Sequence, residues 1–244
     1  MSTPKIRLDK FLLEKGYCSS MGKTAGVILA GEVFMDGRRL DKPGMLIDKD
    51  SVVNISPRKK YVSRGGEKLE KALEAFKPDV KNKIVIDVGS STGGFTDCLL
   101  RAGVKKIYCI DVGYGLLDWK LRNDSRVVLK EKINARYLKK EDFEDEIDLA
   151  VIDVSFISLK KVIPVVLNII KPRGEIIALI KPQFEVKPKN VGKGGVVEDE
   201  NYRKEAVDGI LDFAEKYNLK NKGVITSPIK GAAGNVEYLC YLVK

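Results

Sequence analysis

The chain of 244 residues contains no histidine. This excludes His-based triads, imidazole general bases and imidazole metal ligands. Cysteine is sparse. Cys18, Cys98, Cys109 and Cys240 show no CxxC spacing, so no metal site is expected, and the four read as buried, reduced thiols of a cytoplasmic protein. No apolar run approaches the ~20 residues that span a bilayer. The opening residues, MSTPKIRLDK, lack the apolar stretch of a signal peptide. Stable membrane insertion is therefore not expected. The dinucleotide fingerprint GxGxxG is absent as well.

Charge is abundant: 32% of residues are Asp, Glu, Lys or Arg, and the formal net charge is +10. Such a surplus favours an acidic partner, most often nucleic acid. A lysine-rich soluble enzyme is the plainer alternative. Residues 1–60 carry half of the surplus, so the basic character is concentrated at the N-terminus. With 44% hydrophobic residues a substantial core can form, and the length suits one large domain or a large plus a small one.

Residues 6–16 (IRLDKFLLEKG) predict a short amphipathic helix capped by Asp9 and ended by Gly16. A second helix is expected from Ser19 or Ser20 to Ala30, stopped by Gly31. Glu32–Met35, Asp36-Gly37 and Arg38–Leu40 form a hairpin signal, because Asp-Gly suits a tight turn with positive φ. Val52–Ile55 reads as a closing strand and Pro57-Arg58-Lys59-Lys60 as a basic linker. Through Arg7–Leu12, the Ser20 helix and Gly31–Gly37, this stretch resembles the small RNA-binding domain of ribosomal protein S-four. The resemblance implies basic side chains set against RNA phosphates, with Arg7, Lys10, Lys23, Arg38 and Arg39 as candidates. Met21 departs from it, standing where that family usually has arginine.

From residue 84 apolar strands alternate with helical stretches. Strands are expected at Ile84–Val88, Lys106–Asp111, Val127–Leu129, Asp148–Asp153 and Glu175–Ile180. Helices are expected at Gly94–Ala102, Leu159–Ile170 and Asn201–Tyr217. The alternation implies an α/β fold with a doubly wound, mostly parallel sheet. Gly223–Thr226 and Glu237–Val243 add a terminal hairpin whose last strand runs antiparallel, as in the methyltransferase variant of the Rossmann architecture. After the first strand comes Asp87-Val88-Gly89-Ser90-Ser91-Thr92-Gly93-Gly94-Phe95. A strand, a glycine turn and a helix N-terminus suit close approach of a cofactor. This turn is expected to wrap the amino-acid part of S-adenosylmethionine. Asp111 would hold the ribose, with Asn134 and Asp124 on the adenine side.

Four further residues stand where site groups gather: Lys68, Asp153, Lys181 and Glu237. Their segments are YVSRGGEKL, DVSF, KPQF and GNVE. These motifs resemble, over essentially the whole chain, the TlyA family of haemolysin-A-like ribosomal RNA 2′-O-methyltransferases. The catalytic part is similar to FtsJ-type ribose methyltransferases, whose Lys-Asp-Lys-Glu tetrad maps onto these four residues. The resemblance implies a cytidine ribose as target. Short termini suggest the type that modifies 23S rRNA only, with 16S rRNA as the wider possibility. Lys181 is the expected proton acceptor, oriented by Asp153. Lys68 would steady the developing oxyanion, and Glu237 would position the lysines. Burial and a neighbouring lysine would make such an amine a better base.

The expected domains are 1–57 (RNA-binding), 58–63 (linker) and 64–244 (methyltransferase). Arg64 and Lys187 could reach phosphates, and residues 186–198 suit either a loop over the RNA or a plain flexible connection. Ribosomal RNA or ribosomal subunits are the expected partners of a monomer. The rivals are a pseudouridine synthase, a base N-methyltransferase, a non-catalytic ribosome-binding protein and a membrane-damaging haemolysin. DVSF keeps the ends of the base-methyltransferase motif but lacks both of its prolines.

Overall fold

The computed structural model describes residues 4–56 and 60–244. Residues 57–59 of the expected linker lie outside them. The chain divides into two compact units, Met1–Lys59 and Lys60–Lys244.

The first unit runs β1 (Lys5–Arg7), α1 (Leu8–Glu14), α2 (Met21–Leu29), β2 (Val33–Met35), β3 (Arg38–Leu40), β4 (Leu46–Asp48) and β5 (Asn54–Ile55). The first helix begins later than its pattern predicts, because Lys5–Arg7 are extended and pair antiparallel with β4. Asp9 does not cap that helix; Arg7 holds the N-cap position. Asp9 is buried instead and accepts two bonds from the Arg7 guanidinium, at 3.1 and 2.6 Å. Ser20 caps α2 as expected, accepting from the Lys23 N–H. Asp36 and Gly37 both take positive φ, 49° and 76°, which makes the two-residue turn of the β2–β3 hairpin. Leu8, Phe11, Leu12, Ile28, Val33 and Leu40 form the unit's small core.

The second unit continues with α3 (Gly65–Phe76), β6 (Ile84–Val88), α4 (Gly94–Arg101), β7 (Lys106–Ile110), α5 (Trp119–Arg122), β8 (Val127–Lys130) and β9 (Ile147–Ile152). It ends with α6 (Ile163–Ile169), β10 (Ile170–Ile180), α7 (Pro182–Glu185), α8 (Glu200–Lys216), β11 (Lys220–Thr226) and β12 (Tyr238–Val243). Seven strands form one sheet in the order β11-β12-β10-β9-β6-β7-β8. The last strand, β12, is antiparallel to both of its neighbours. Alternate strand residues enter different cores. Ile86, Ile152 and Ala178 face α6 and α8, whereas Val85, Leu149 and Ile177 face α3 and α4. β6 is flanked by β7 on one side and β9 on the other. The winding direction therefore reverses there, which opens a crevice beyond the carboxyl ends of these strands. The sequence pattern did not reveal α3. The expected helix 159–170 is split: a 3-10 turn spans Leu159–Lys161, and Pro164 sits in the first turn of α6.

Candidate active site

The glycine turn is shaped by what it packs against. Gly89 has φ +87°, and a Cβ there would lie 2.5 Å from the Asp153 carbonyl oxygen. Only glycine lets the end of β6 come this close to the end of β9. The Gly89 and Ser90 N–H groups donate to the Ile110 carbonyl, at 2.8 and 3.1 Å. Asp111, just past β7, accepts from the Ser91 and Gly113 N–H groups, each at 2.7 Å. One carboxylate thus ties the turn to the next strand's loop.

Two adjoining cavities open at this rim, of about 790 and 770 Å³. They share Gly89, Ser91, Asp153, Ser155, Phe156 and Phe184. The predicted cofactor residues divide between them. Ser90, Thr92, Gly94 and Phe95 line the first, and Asp111 and Asn134 line the second. Asp87 and Gly93 line neither. Asp87 lies fully buried, and Gly93 packs on Leu117 and Leu121. Asp124, expected near adenine, is held by Arg126 at 2.7 Å and lies outside both linings.

Lys68, Asp153, Lys181 and Glu237 all line the first cavity. Lys68 comes from the helix α3 rather than from a strand end. Asp153 and Lys181 follow β9 and β10, and Glu237 precedes β12. The four form two ion pairs. Lys68 Nζ donates to Glu237 Oε2 at 2.5 Å, across 169 positions of sequence. Lys181 Nζ lies 2.7 Å from Asp153 Oδ1. That oxygen accepts no well-directed hydrogen bond, so the contact is mainly electrostatic. The directed bond from Lys181 goes to Ser155 Oγ, at 2.9 Å. Lys68, Lys181 and Glu237 are each less than a tenth exposed. Buried charges in this arrangement need their partners.

Of the predicted RNA-binding residues, Lys10, Lys23, Arg38 and Arg39 are exposed in the first unit, while Arg7 is engaged by Asp9. In the second unit Arg64 is exposed on the wall of the first cavity, and Lys187 is exposed beyond α7. Sequence reasoning missed Ser155, Gln183, Phe156 and Phe184. Phe156 is 92% exposed, has φ +63° and borders both cavities, with its ring 5.3 Å from that of Phe184. A bulky side chain in the left-handed region is costly and is kept only where the surrounding structure holds it. The one available signal was its place three residues after Asp153.

The residues present fit a cationic, nucleoside-sized ligand. Asp87 Oδ1 and Ser90 Oγ are buried and unpartnered. Burial, then the Asp153 and Asp111 charges, push the Asp87 carboxyl up to about 7 against the Thr96 hydroxyl bond. A nearby cation would relieve that cost. The first turn of α4 offers N–H groups to a carboxylate. Among the described residues there is no group of three His, Cys, Asp or Glu side chains fit to hold a metal, and no helix long and apolar enough to cross a membrane.

A seven-stranded sheet with its final strand reversed, a glycine turn at the switch point and an ionic tetrad beside it define a methyltransferase of Rossmann-like architecture. Residues 61–244 match the FtsJ-like methyltransferase family, and residues 6–53 match the S4 domain. The chain belongs to the TlyA family of FtsJ-like methyltransferases. It is 40% identical to the 16S/23S rRNA (cytidine-2'-O)-methyltransferase TlyA of Mycobacterium tuberculosis, over 98% of this chain and 90% of that protein. It is 43% identical to Hemolysin A of Brachyspira hyodysenteriae, over 98% of this chain and 100% of that one. A solved structure from Streptococcus thermophilus is 40% identical, with TM-score 0.76 over 100% of this chain and 90% of the other.

Proposed function

We propose that this protein methylates the 2′-hydroxyl of a cytidine in ribosomal RNA, with 23S rRNA as its principal substrate and S-adenosylmethionine as methyl donor. One observation carries the reading: the tetrad converges on a cavity that shares a wall with the cavity holding Asp111 and Asn134. An acceptor oxygen and a nucleoside donor can therefore meet at Gly89, Ser91 and Asp153. When bound, the donor supplies a methyl group already activated on a sulfonium sulfur.

The turn Gly89–Gly94 and the start of α4 would hold the donor's amino-acid end, with the Asp87 charge beneath them. Asp111 would bind the ribose hydroxyls and Asn134 the base. On the acceptor side, an ammonium or amine nitrogen has three bonding directions. At Lys181 one of those goes to Ser155 by a directed bond, while Asp153 holds the group electrostatically, which leaves room for the 2′-oxygen. In its uncharged amine form Lys181 would take the hydroxyl proton on its lone pair, as the carbon–oxygen bond forms and the methyl–sulfur bond breaks. Lys68, fixed by Glu237, would stabilise the charge growing on that oxygen. Phe156 offers an exposed ring on which an unstacked base can rest. The first unit would supply affinity through Lys10, Lys23, Arg38 and Arg39, and Arg64 and Lys187 would add phosphate contacts near the site.

The test supplies isotopically labelled donor to large ribosomal subunits, to small subunits and to free RNA. Label in an alkali-resistant dinucleotide containing cytidine is expected from large subunits. Label on a base, or no transfer to any RNA, would refute the reading.

A further inference from the structure

We propose that Asn235 is a positioning residue that latches segment 191–198 as the acceptor-side wall of the first cavity. This rests on the reading of that cavity as the RNA acceptor site.

Val191, Gly194 and Gly195 line one side of the cavity, beside Ala232 and Ala233 of the turn before β12. The segment is largely exposed, carries three glycines and forms no helix or strand. Its own bonds are local, such as Gly192 N–H to the Val196 carbonyl at 2.8 Å. Arg203, a few residues on in α8, donates to the Val197 and Glu198 carbonyls, at 3.3 and 2.7 Å. Among the hydrogen bonds of the described residues, those reaching a distant part of the chain both end on Asn235. Its Oδ1 accepts from Val197 N–H at 2.9 Å, and its Nδ2 donates to the Gly195 carbonyl at 2.8 Å.

The chemistry selects an amide. One backbone partner is a donor and the other an acceptor, so the side chain must present one of each, and only one orientation satisfies both. Asn235 is 1% exposed, so water cannot replace either bond. The same residue's carbonyl accepts from Gly231 N–H at 2.9 Å, closing the 231–235 turn. That turn packs on the tetrad: a Cβ at Gly231 would lie 2.3 Å from Glu237 Oε1. The wall is therefore fastened to the stretch that carries Glu237. Asn235 itself lines neither cavity, so it acts through the wall.

The experiment uses the full chain, S-adenosylmethionine and large ribosomal subunits. Asn235→Ala is expected to lower kcat/KM for the subunits by roughly tenfold to a hundredfold, mostly through KM. Donor affinity, read by calorimetry, should stay within about twofold, because among the described residues no hydrogen bond joins segment 191–198 to residues 89–94, Asp111 or Asn134. Val197→Pro removes the loop's N–H while leaving residues 231–237 unsubstituted, and should reproduce the effect. An unaltered KM in V197P would assign the Asn235 effect to Glu237 alone and overturn the latch, as would full turnover in N235A. Should neither variant fold, hydrogen exchange on the wild-type protein decides. A Val197 amide far slower than those of residues 192–195 supports the latch, and equal exchange overturns it. Failure of wild-type protein to methylate RNA would strike the proposed function, leaving the exchange result to judge the latch.

Discussion

In the N-terminal unit Lys10, Lys23, Arg38 and Arg39 stand exposed on short elements. In the C-terminal unit the central cations, Lys68 and Lys181, are buried and each faces a carboxylate. Exposed cations act collectively: each neutralises a phosphate, is screened by salt and can be lost singly at modest cost. Buried pairs act individually, since each group lost leaves an uncompensated charge. On the proposed reading the same residue type would serve affinity in one unit and chemistry in the other, and burial makes the difference.

The sharpest test of that contrast is Lys181→Ala, expected to lower methyl transfer by roughly a thousandfold with donor and subunit affinity unchanged. Turnover near wild type would remove Lys181 from the mechanism. Glu237→Ala comes next. It strands Lys68 and should cost about 3–5 kcal/mol in chemical denaturation; a cost below about 1 kcal/mol would mean the pair behaves like a surface bridge.

Asp87 gives a pH test. Its carboxyl, pushed from 3.8 to about 7 mainly by burial, keeps a proton in the native state that the unfolded chain has released. Its contribution to stability is thus full below about pH 4 and is lost as pH rises to about 7. Donor binding should run the other way, strengthening up to about tenfold per pH unit below 7, because a cation favours the carboxylate. Asp87→Asn should flatten that dependence; an unchanged pH profile would place the donor's charge elsewhere. The smallest effects belong to the first unit. Lys10→Ala or Lys23→Ala should weaken subunit binding only a few-fold and reduce its salt slope by about 0.7–0.9 each. A loss as large as that of Lys181→Ala would break the comparison.

Part of the residue set that lines the two cavities could be read from the chain, but its geometry could not. The glycine turn, Asp111 and the tetrad residues carry recognisable local patterns, because strand ends and Asp-Gly turns are set by neighbours in sequence. Lys68 was identified while its helix was not, since Gly65-Gly66 at the start of α3 blunts the helical signal. Ser155, Phe156 and Asn235 were not chosen as site residues. What distinguishes them is a bond to Lys181, an exposed ring on left-handed backbone and two bonds to a loop some forty residues away, and none of these leaves a mark on adjacent positions.

By itself, the amino-acid order determined the strand and helix alternation, the basic first sixty residues and the types of ionisable group available, because periodicity and composition are local or additive quantities. The tertiary structure alone decided which charges pair, which are shielded from water and which loops wall the cavity. Those outcomes depend on contacts between segments as far apart as Lys68 and Glu237, and no stretch of chain contains such contacts until the sheet has formed.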